Sequence, residues 1–226
     1  MPSGPERLRI GGLTRWTSID FPGRLAAVVF LQGCPWRCSY CHNPELLDPA
    51  QDARVPWTEV RSFLTARRGL LDGVVFSGGE PTLQAGLSDA LAEVRAMGFQ
   101  TALHTGGMYP ERIAALLPLL DWIGLDIKGP WERIDDITAS RGSAARVQAS
   151  LAHVLASGVD YECRTTWDSA LFDLGELTRL AADLAQRGVR RWALQRCRPV
   201  QAGAPPPAAE LRKLGTRFEH FEWRDA

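Results

Sequence analysis

Short apolar segments alternate with longer segments of helical period along most of the chain. Most of the apolar segments are rich in Val, Ile, Leu and aromatic residues, and most continue without polar alternation, which is typical of parallel strands covered on both faces. Six such strands are predicted, at residues 26–31, 73–76, 100–104, 122–127, 161–166 and 191–195.

Glycine and proline mark the helices that are predicted between these strands. Gly98, Gly158 and Gly188 each follow a helical segment at the position where a C-cap glycine is favoured. Pro118 lies near the end of another helical segment and should distort its last turn. The predicted helices cover residues 57–68, 83–97, 110–120, 144–157 and 174–187.

The alternation predicts an α/β fold with a parallel sheet and right-handed crossovers. About six parallel strands are fewer than the eight of a closed barrel, so an open, partial βα barrel is expected, with a flat doubly wound sheet as the alternative. We expect a single domain over residues 1–226, with an N-terminal extension at 1–23, a barrel core at 24–198 and a C-terminal tail at 199–226. The tail should contain a short helix and an edge strand near residues 217–223.

Composition and charge indicate the compartment of the protein and exclude some partners. The 226 residues are 45% hydrophobic and 23% charged, and 26 basic residues balance 26 acidic ones, so no basic surface for nucleic acid is indicated. The apolar run at residues 25–31 is too short to cross a membrane. No signal peptide is recognisable at the start. We therefore expect a cytoplasmic protein whose five cysteines are thiols or metal ligands.

Three of those cysteines, Cys34, Cys38 and Cys41, lie in the loop directly after the first predicted strand. Three thiolates on one loop suit a soft metal centre. A structural zinc site normally takes four protein ligands, and an iron–sulfur cube held by three cysteines would keep one iron open. A zinc loop and buried thiols without a metal stay open as alternatives. Cys163 and Cys197 lack this spacing and are predicted to be core residues.

The CxxxCxxC spacing, with the aromatic Tyr40 before the last cysteine, resembles the signature of the radical S-adenosylmethionine superfamily. The resemblance implies a 4Fe–4S cluster with Cys34, Cys38 and Cys41 as ligands. Its fourth iron would be open to S-adenosylmethionine. Tyr40 is then expected to contact this cofactor.

Three further elements resemble the same family. Gly78-Gly79-Glu80 follows the second predicted strand and looks like its GGEP element. The glycines would let the backbone approach a ligand closely, and Glu80 could accept hydrogen bonds from an ammonium group. Asp126-x-Lys128 resembles the D-x-K element of glycyl-radical-activating enzymes, and residues two apart on a strand share a face. The resemblance implies that these residues contact the cofactor or a cation beside it.

Two positions complete the predicted cofactor site. Arg164, on the fifth predicted strand, matches a basic residue near the carboxylate of the cofactor, and arginine suits bidentate carboxylate recognition. The third predicted strand departs from the family pattern, because related activases often read Asp-Thr-Asn-Gly where this chain has His104-Thr105-Gly106-Gly107. Thr105 is kept as a site residue, and the role of His104 is open.

Residues 17–26 resemble the S-x-x-D-[YF]-P-G-x-L opening of anaerobic ribonucleoside-triphosphate reductase activating proteins, and the resemblance runs from about Leu13 to Gln195. It implies reductive cleavage of S-adenosylmethionine to a 5′-deoxyadenosyl radical that removes hydrogen from a glycine of a partner enzyme. Anaerobic ribonucleotide reductase would be that partner and a reduced flavodoxin-type protein the electron donor, with no side chain acting as acid or base. The alternatives are a small-molecule enzyme resembling 7-carboxy-7-deazaguanine synthase and a non-enzymatic zinc-binding interaction module.

Overall fold

A computed structural model describes residues 4–197 and 204–225, and its centre is one eight-stranded sheet. The strands follow one another in sequence order across the sheet. All neighbouring pairs are parallel except the first, which is antiparallel. The strands are β1 (Ile10–Thr17), β2 (Ala26–Leu31), β3 (Gly73–Gly78), β4 (Gln100–Thr105), β5 (Trp122–Asp126), β6 (Asp160–Trp167), β7 (Arg191–Arg196) and β8 (His220–Arg224).

The strand order confirms the predicted α/β class with a mostly parallel, open sheet. A doubly wound sheet reverses its strand order at a switch point, whereas the order here continues without reversal from β1 to β8. The predicted N-terminal extension and C-terminal tail each add a strand to the same sheet as the core, because β1 lies within residues 1–23 and β8 within 199–226. The parallel part of the sheet therefore has seven strands, one more than the six predicted in the core, and β1 was not predicted as a strand.

Helices connect the parallel strands. The predicted third helix ends early, and a 3-10 turn at Leu117–Leu119 follows it around Pro118, as the sequence indicated. Gly98, Gly158 and Gly188 all adopt positive φ. The helices are α1 (Trp57–Thr65), α2 (Leu87–Ala96), α3 (Pro110–Leu116), α4 (Trp131–Thr138), α5 (Ser143–Ser157), α6 (Leu174–Gln186) and α7 (Ala208–Gly215). The sequence prediction missed α4.

Side chains alternate between two apolar layers, as the pleat of a strand requires. The larger layer lies between the sheet and its helices. The smaller one fills part of the inner side of the curved sheet and includes Phe21, which comes from the turn after β1. A Cβ on Gly73 would lie 2.8 Å from the Phe21 ring, so the glycine makes room for it. The inner layer consists of Phe21, Ala26, Val28, Val75, Ala102 and Trp122.

Within the described ranges, no helix is both long and apolar enough to cross a membrane. Both cysteines outside the predicted ligand set are buried, with Cys163 at 0% and Cys197 at 4% exposure. This agrees with the prediction that they are core residues.

Candidate cofactor site

A cavity of about 310 Å³ lies at the carboxyl ends of the central parallel strands. This is the end at which open α/β folds place their ligands. Every site residue predicted from the sequence lines it: Cys34, Cys38, Tyr40, Cys41, Gly78, Gly79, Glu80, Thr105, Asp126, Lys128 and Arg164.

The cysteine loop between β2 and α1 is held by its own backbone. Gly33 N donates to Leu46 O at 2.8 Å and Cys34 N donates to Leu47 O at 3.1 Å, so the far end of the loop folds back onto its start. Arg37 Nη1 donates to Cys34 O at 2.7 Å. These contacts hold the loop through hydrogen bonds within the protein itself.

Trp36 connects the loop to the end of β4, and sequence reasoning missed it. Its ring is 3% exposed and its Nε1 donates to Ser143 Oγ at 3.0 Å. A Cβ on Gly106 would lie 2.1 Å from the Trp36 ring. Gly106 was visible in the sequence as part of a motif, but the contact that requires it joins residues 70 positions apart and has no local signal.

Gly78 and Gly79 are required by the packing of the protein itself. Gly78 has a φ of 127°, and a Cβ there would lie 2.3 Å from the Leu31 backbone. A Cβ on Gly79 would lie 2.3 Å from Gly33 O. The close approach seen here is to the end of β2 and the start of the cysteine loop, and the predicted approach to a ligand stays a prediction.

Glu80 acts as a brace between β3 and β4. Its carboxylate is 2% exposed and accepts hydrogen bonds from Thr105 Oγ1 at 2.7 Å, Gly106 N at 2.8 Å and Thr82 N at 3.1 Å. Burial raises the pKa of Glu80, and these hydrogen bonds oppose the rise. Thr105 is thus placed in the site by Glu80. Acceptance of a ligand ammonium by Glu80 stays a prediction.

Asp126, Lys128 and Arg164 form an ion triad at the end of β5 and on β6. Lys128 Nζ and Arg164 Nη2 each lie 2.9 Å from a different oxygen of Asp126. Burial alone would raise the pKa of Asp126, but Arg164 and Lys128 outweigh it and hold the pKa well below its usual range. Two cations facing one carboxylate leave a net positive wall that suits a ligand carboxylate.

Neighbouring residues shape this triad. A Cβ on Gly124 would lie 2.9 Å from Arg164 Cζ, so the missing side chain lets the guanidinium lie across β5. Lys128 Nζ lies 5.8 Å from the centre of the Tyr40 ring, which is 8% exposed. Burial raises the pKa of the Tyr40 hydroxyl, so this ring enters the site as a neutral group. The triad and Tyr40 therefore lie together, as predicted.

His104 holds the turn after β1 against the cavity. Its Nε2 lies 2.8 Å from Asp20 O, and because that partner is a carbonyl, Nε2 must carry the proton. The ring packs against Trp122 with centroids 5.5 Å apart. Burial, helped by the nearby Arg164, lowers the pKa of His104 to about 3. The imidazole is therefore neutral and acts as a structural link between β4 and the turn.

The three thiols of the loop suit the cluster that the sequence implies. Burial raises the pKa of Cys34 to about 12, so a metal must supply the positive charge that makes it a thiolate ligand. Within residues 4–197 and 204–225 no three His, Cys, Asp or Glu side chains are grouped as ligands of one metal ion. Three soft thiols on one loop, facing charged groups that complement an amino acid, fit a cluster and an amino-acid cofactor.

The cavity continues sideways into a groove of about 1080 Å³. One wall of this lateral groove is the turn at residues 18–22, and the other contains Arg196 and residues 222–225. The cavity and the groove share the lining residues Asp20, Cys41, His42, Arg164 and Gln195. The site is thus open at the gap between β1 and β8, where the sheet does not close.

Comparison with known proteins identifies the family. Residues 28–190 match the profile of the Radical SAM superfamily. The chain is 27% identical over 223 residues to a candidate glycyl-radical enzyme activating enzyme of Methanocaldococcus jannaschii, covering 91% of this chain and 90% of the relative. It is 37% identical over 125 residues to the pyruvate formate-lyase-activating enzyme of Clostridium pasteurianum, spanning about half of each chain, 53% and 52%.

Solved structures share the fold at lower identity. SuiB of Streptococcus suis bound to S-adenosylmethionine has a TM-score of 0.65 at 13% identity, covering 86% of this chain and 49% of SuiB. QueE from Escherichia coli has a TM-score of 0.57 at 16% identity, covering 97% and 94%. The cofactors of the enzyme are a 4Fe–4S cluster and S-adenosylmethionine. The chain belongs to the radical SAM superfamily.

Proposed function

We propose that this radical SAM enzyme activates a glycyl-radical enzyme, and that its partner is anaerobic ribonucleotide reductase. The observation that carries the proposal is the continuity between the cofactor cavity and the lateral groove, since a segment of a partner protein needs an open path to the reacting atoms. Similarity to the M. jannaschii and C. pasteurianum activating enzymes supports the activase. The opening motif at residues 17–26 supports the choice of reductase.

In this proposal Cys34, Cys38 and Cys41 hold the cluster, and the rest of the predicted site holds S-adenosylmethionine. When bound and supplied with one electron by a reduced flavodoxin-type donor, the two cofactors would provide the reductive chemistry that takes a hydrogen atom from the target glycine and leaves methionine and 5′-deoxyadenosine. The hard chemistry belongs to the cofactors, and the protein orients them.

The side chains of the protein bind and orient. Arg164 and Lys128 attract the cofactor carboxylate, while Asp126 keeps both cations in place at 2.9 Å. Glu80 would accept a hydrogen bond from the ammonium group of the cofactor in addition to those it accepts from the protein. Tyr40 packs beside Lys128 and helps to exclude water. No side chain needs to move a proton, since the reaction transfers a hydrogen atom.

The test is cofactor cleavage under anaerobic conditions, with dithionite or a reduced flavodoxin-type donor. Wild-type protein should release methionine and 5′-deoxyadenosine, and Cys38→Ala should release neither. Cys163→Ala is the matched control, because Cys163 is buried on β6 outside the cavity. Electron paramagnetic resonance of anaerobic ribonucleotide reductase from the same organism should then show a glycyl radical after incubation with wild type. Cleavage without that radical would refute the choice of partner.

A small-molecule enzyme resembling 7-carboxy-7-deazaguanine synthase is the second candidate. The structure of QueE matches nearly the full length of both chains, so the compact size suits this alternative. Cleavage that a small molecule stimulates, with no radical on any protein partner, would favour it. The zinc-binding interaction module is set aside, because the chain belongs to an enzyme family with a cluster cofactor.

A further inference from the structure

The C-terminal strand β8, which the sequence predicted as an edge strand of the tail, forms one wall of the lateral groove. The outer face of β8 is anchored by Phe221, whose ring centroid lies 5.5 Å from that of Trp192 on β7. Phe218 packs against the same tryptophan at 5.0 Å. Glu222 and Arg224, on the opposite face of β8, line the groove together with Trp223 and Asp225.

An ion pair between the buried Glu162 and the partly exposed Arg224 holds that face to the sheet. Arg224 Nη1 and Nη2 donate to the two oxygens of Glu162 on β6, both at 2.9 Å, and the Glu162 side chain is only 4% exposed. Arg224 Nη2 also donates to Glu222 at 2.6 Å. The bidentate geometry fixes the direction as well as the distance of the guanidinium. Arg224 therefore links an edge strand to the interior of the barrel.

The pair lies beside the cofactor site, and neither Glu162 nor Arg224 lines the cofactor cavity. Glu162 and Arg164 are two residues apart on β6 and so share a face. Arg164 contacts Asp126 in the cofactor cavity, whereas Glu162 contacts Arg224 at the groove. A shift of Arg224 would thus move the groove wall first, while the triad at Asp126 has its own contacts.

We propose that β8, fixed by the Glu162–Arg224 pair, is the wall against which the partner's glycine segment lies, so that Arg224 is a positioning residue for the protein substrate. This inference rests on the proposed function, since it assumes a protein substrate. The occupant is an extended, glycine-containing segment, because the groove leads directly to the cavity through Arg164 and Gln195. Loss of the pair should let the wall shift and move the glycine away from the radical.

The test variant must keep the protein folded, so that a lost activity reports on the groove. Removing Arg224 alone would leave Glu162 buried and unpaired, which is strongly destabilising, whereas replacing both members of a buried pair is far better tolerated. The double variant E162Q/R224Q removes both charges and keeps groups that can hydrogen-bond. R190Q is the matched control, because Arg190, just before β7, pairs with Glu219, just before β8, at 3.5 Å while both side chains are about 70% exposed.

The experiment measures two activities of each holoenzyme: 5′-deoxyadenosine release with dithionite alone, and glycyl radical formed on anaerobic ribonucleotide reductase from the same organism. For E162Q/R224Q we expect radical yield to fall about tenfold to 100-fold with a raised KM for the reductase, since a small misplacement is costly. Release of 5′-deoxyadenosine without the reductase should fall by less than about twofold. The two assays thus distinguish an effect on the position of the protein substrate from an effect on cofactor cleavage. R190Q should match wild type in both assays.

Equal losses of both activities in E162Q/R224Q would overturn the inference, because Arg224 would then act on the cofactor site or on folding. Unchanged radical yield and unchanged KM would overturn it as well. Absence of a radical with the wild-type protein would refute the proposed function, and the inference would fail with it. The radical formed by the wild-type protein therefore tests the proposed function, and the ratio of variant to wild-type radical yield tests the role of Arg224.

Discussion

Acidification should destabilise the wild-type protein more than a His104→Gln variant. The side chain of glutamine can reach Asp20 O with an N–H, as the Nε2 of His104 does at 2.8 Å, but it does not titrate. The charged groups around the His104 ring are Arg164, Asp126 and Arg224. The substitution thus removes one titrating group and leaves its hydrogen bond and its neighbours.

The size of the effect follows from the two pKa values. Burial and Arg164 lower the pKa of His104 to about 3 in the folded chain, whereas an unfolded histidine titrates near about 6.5. Below about pH 6.5 the unfolded state takes up a proton that the folded state refuses, so the free energy of unfolding decreases. At pH 5 the loss is about 2 kcal/mol relative to pH 8. Because the ring borders the open cavity, this is an upper value.

The measurement is thermal unfolding of reconstituted, oxygen-free wild type and H104Q between pH 8 and pH 5. For a chain of this size, a loss of about 2 kcal/mol in unfolding free energy lowers the melting temperature by about 4–8 °C. The melting temperature of wild type should therefore fall by that much more than that of H104Q between pH 8 and pH 5. The proton spectrum of the His104 ring should also stay unchanged down to pH 5. Parallel midpoint profiles, or a ring that titrates near pH 6, would show that the imidazole is not held neutral by its surroundings.

Three further predictions concern the site. Gly79→Ala should cost about 1–3 kcal/mol and lower iron content, because its Cβ would meet Gly33 O at 2.3 Å; a wild-type midpoint and iron content would contradict this. Gly124→Ala should displace the Arg164 guanidinium and weaken binding of S-adenosylmethionine by about tenfold, measured by calorimetry; unchanged affinity would mean that Arg164 does not face the cofactor. Protein purified in air should lose iron and activity, and anaerobic reconstitution should restore about four irons per chain. A colourless, zinc-loaded protein with full activity would refute the cluster assignment.

Much of the fold could be predicted because strands and helix ends are encoded by local patterns in the sequence. Apolar segments located all six predicted strands of the core, and glycines located the ends of helices at Gly98, Gly158 and Gly188. The strand β1 was missed because its sequence, Ile10–Thr17, has two glycines and polar residues, and only pairing with β2 makes it a strand. The eight-residue helix α4 was missed because it lies between a site motif and a longer helix.

The motifs of the candidate site could be predicted from the sequence for the same reason. The distant residues that hold those motifs in place could not. The cysteine spacing and the motifs at Glu80 and Asp126 are contiguous in sequence, and their place at strand ends brings them to one cavity. The role of His104 could not be read, since its partner Asp20 is 84 positions away. The pair of Glu162 and Arg224 spans 62 positions and gave no signal in either segment.

The sequence by itself determined the class of fold, the three-thiol loop and the family to which they belong, because each is written in residues that are neighbours along the chain. The tertiary structure alone decided which groups brace that loop, why residue 106 must be glycine beneath Trp36, and where the barrel stays open. Those features depend on distances between residues far apart in the chain, and such distances exist only after the strands have assembled.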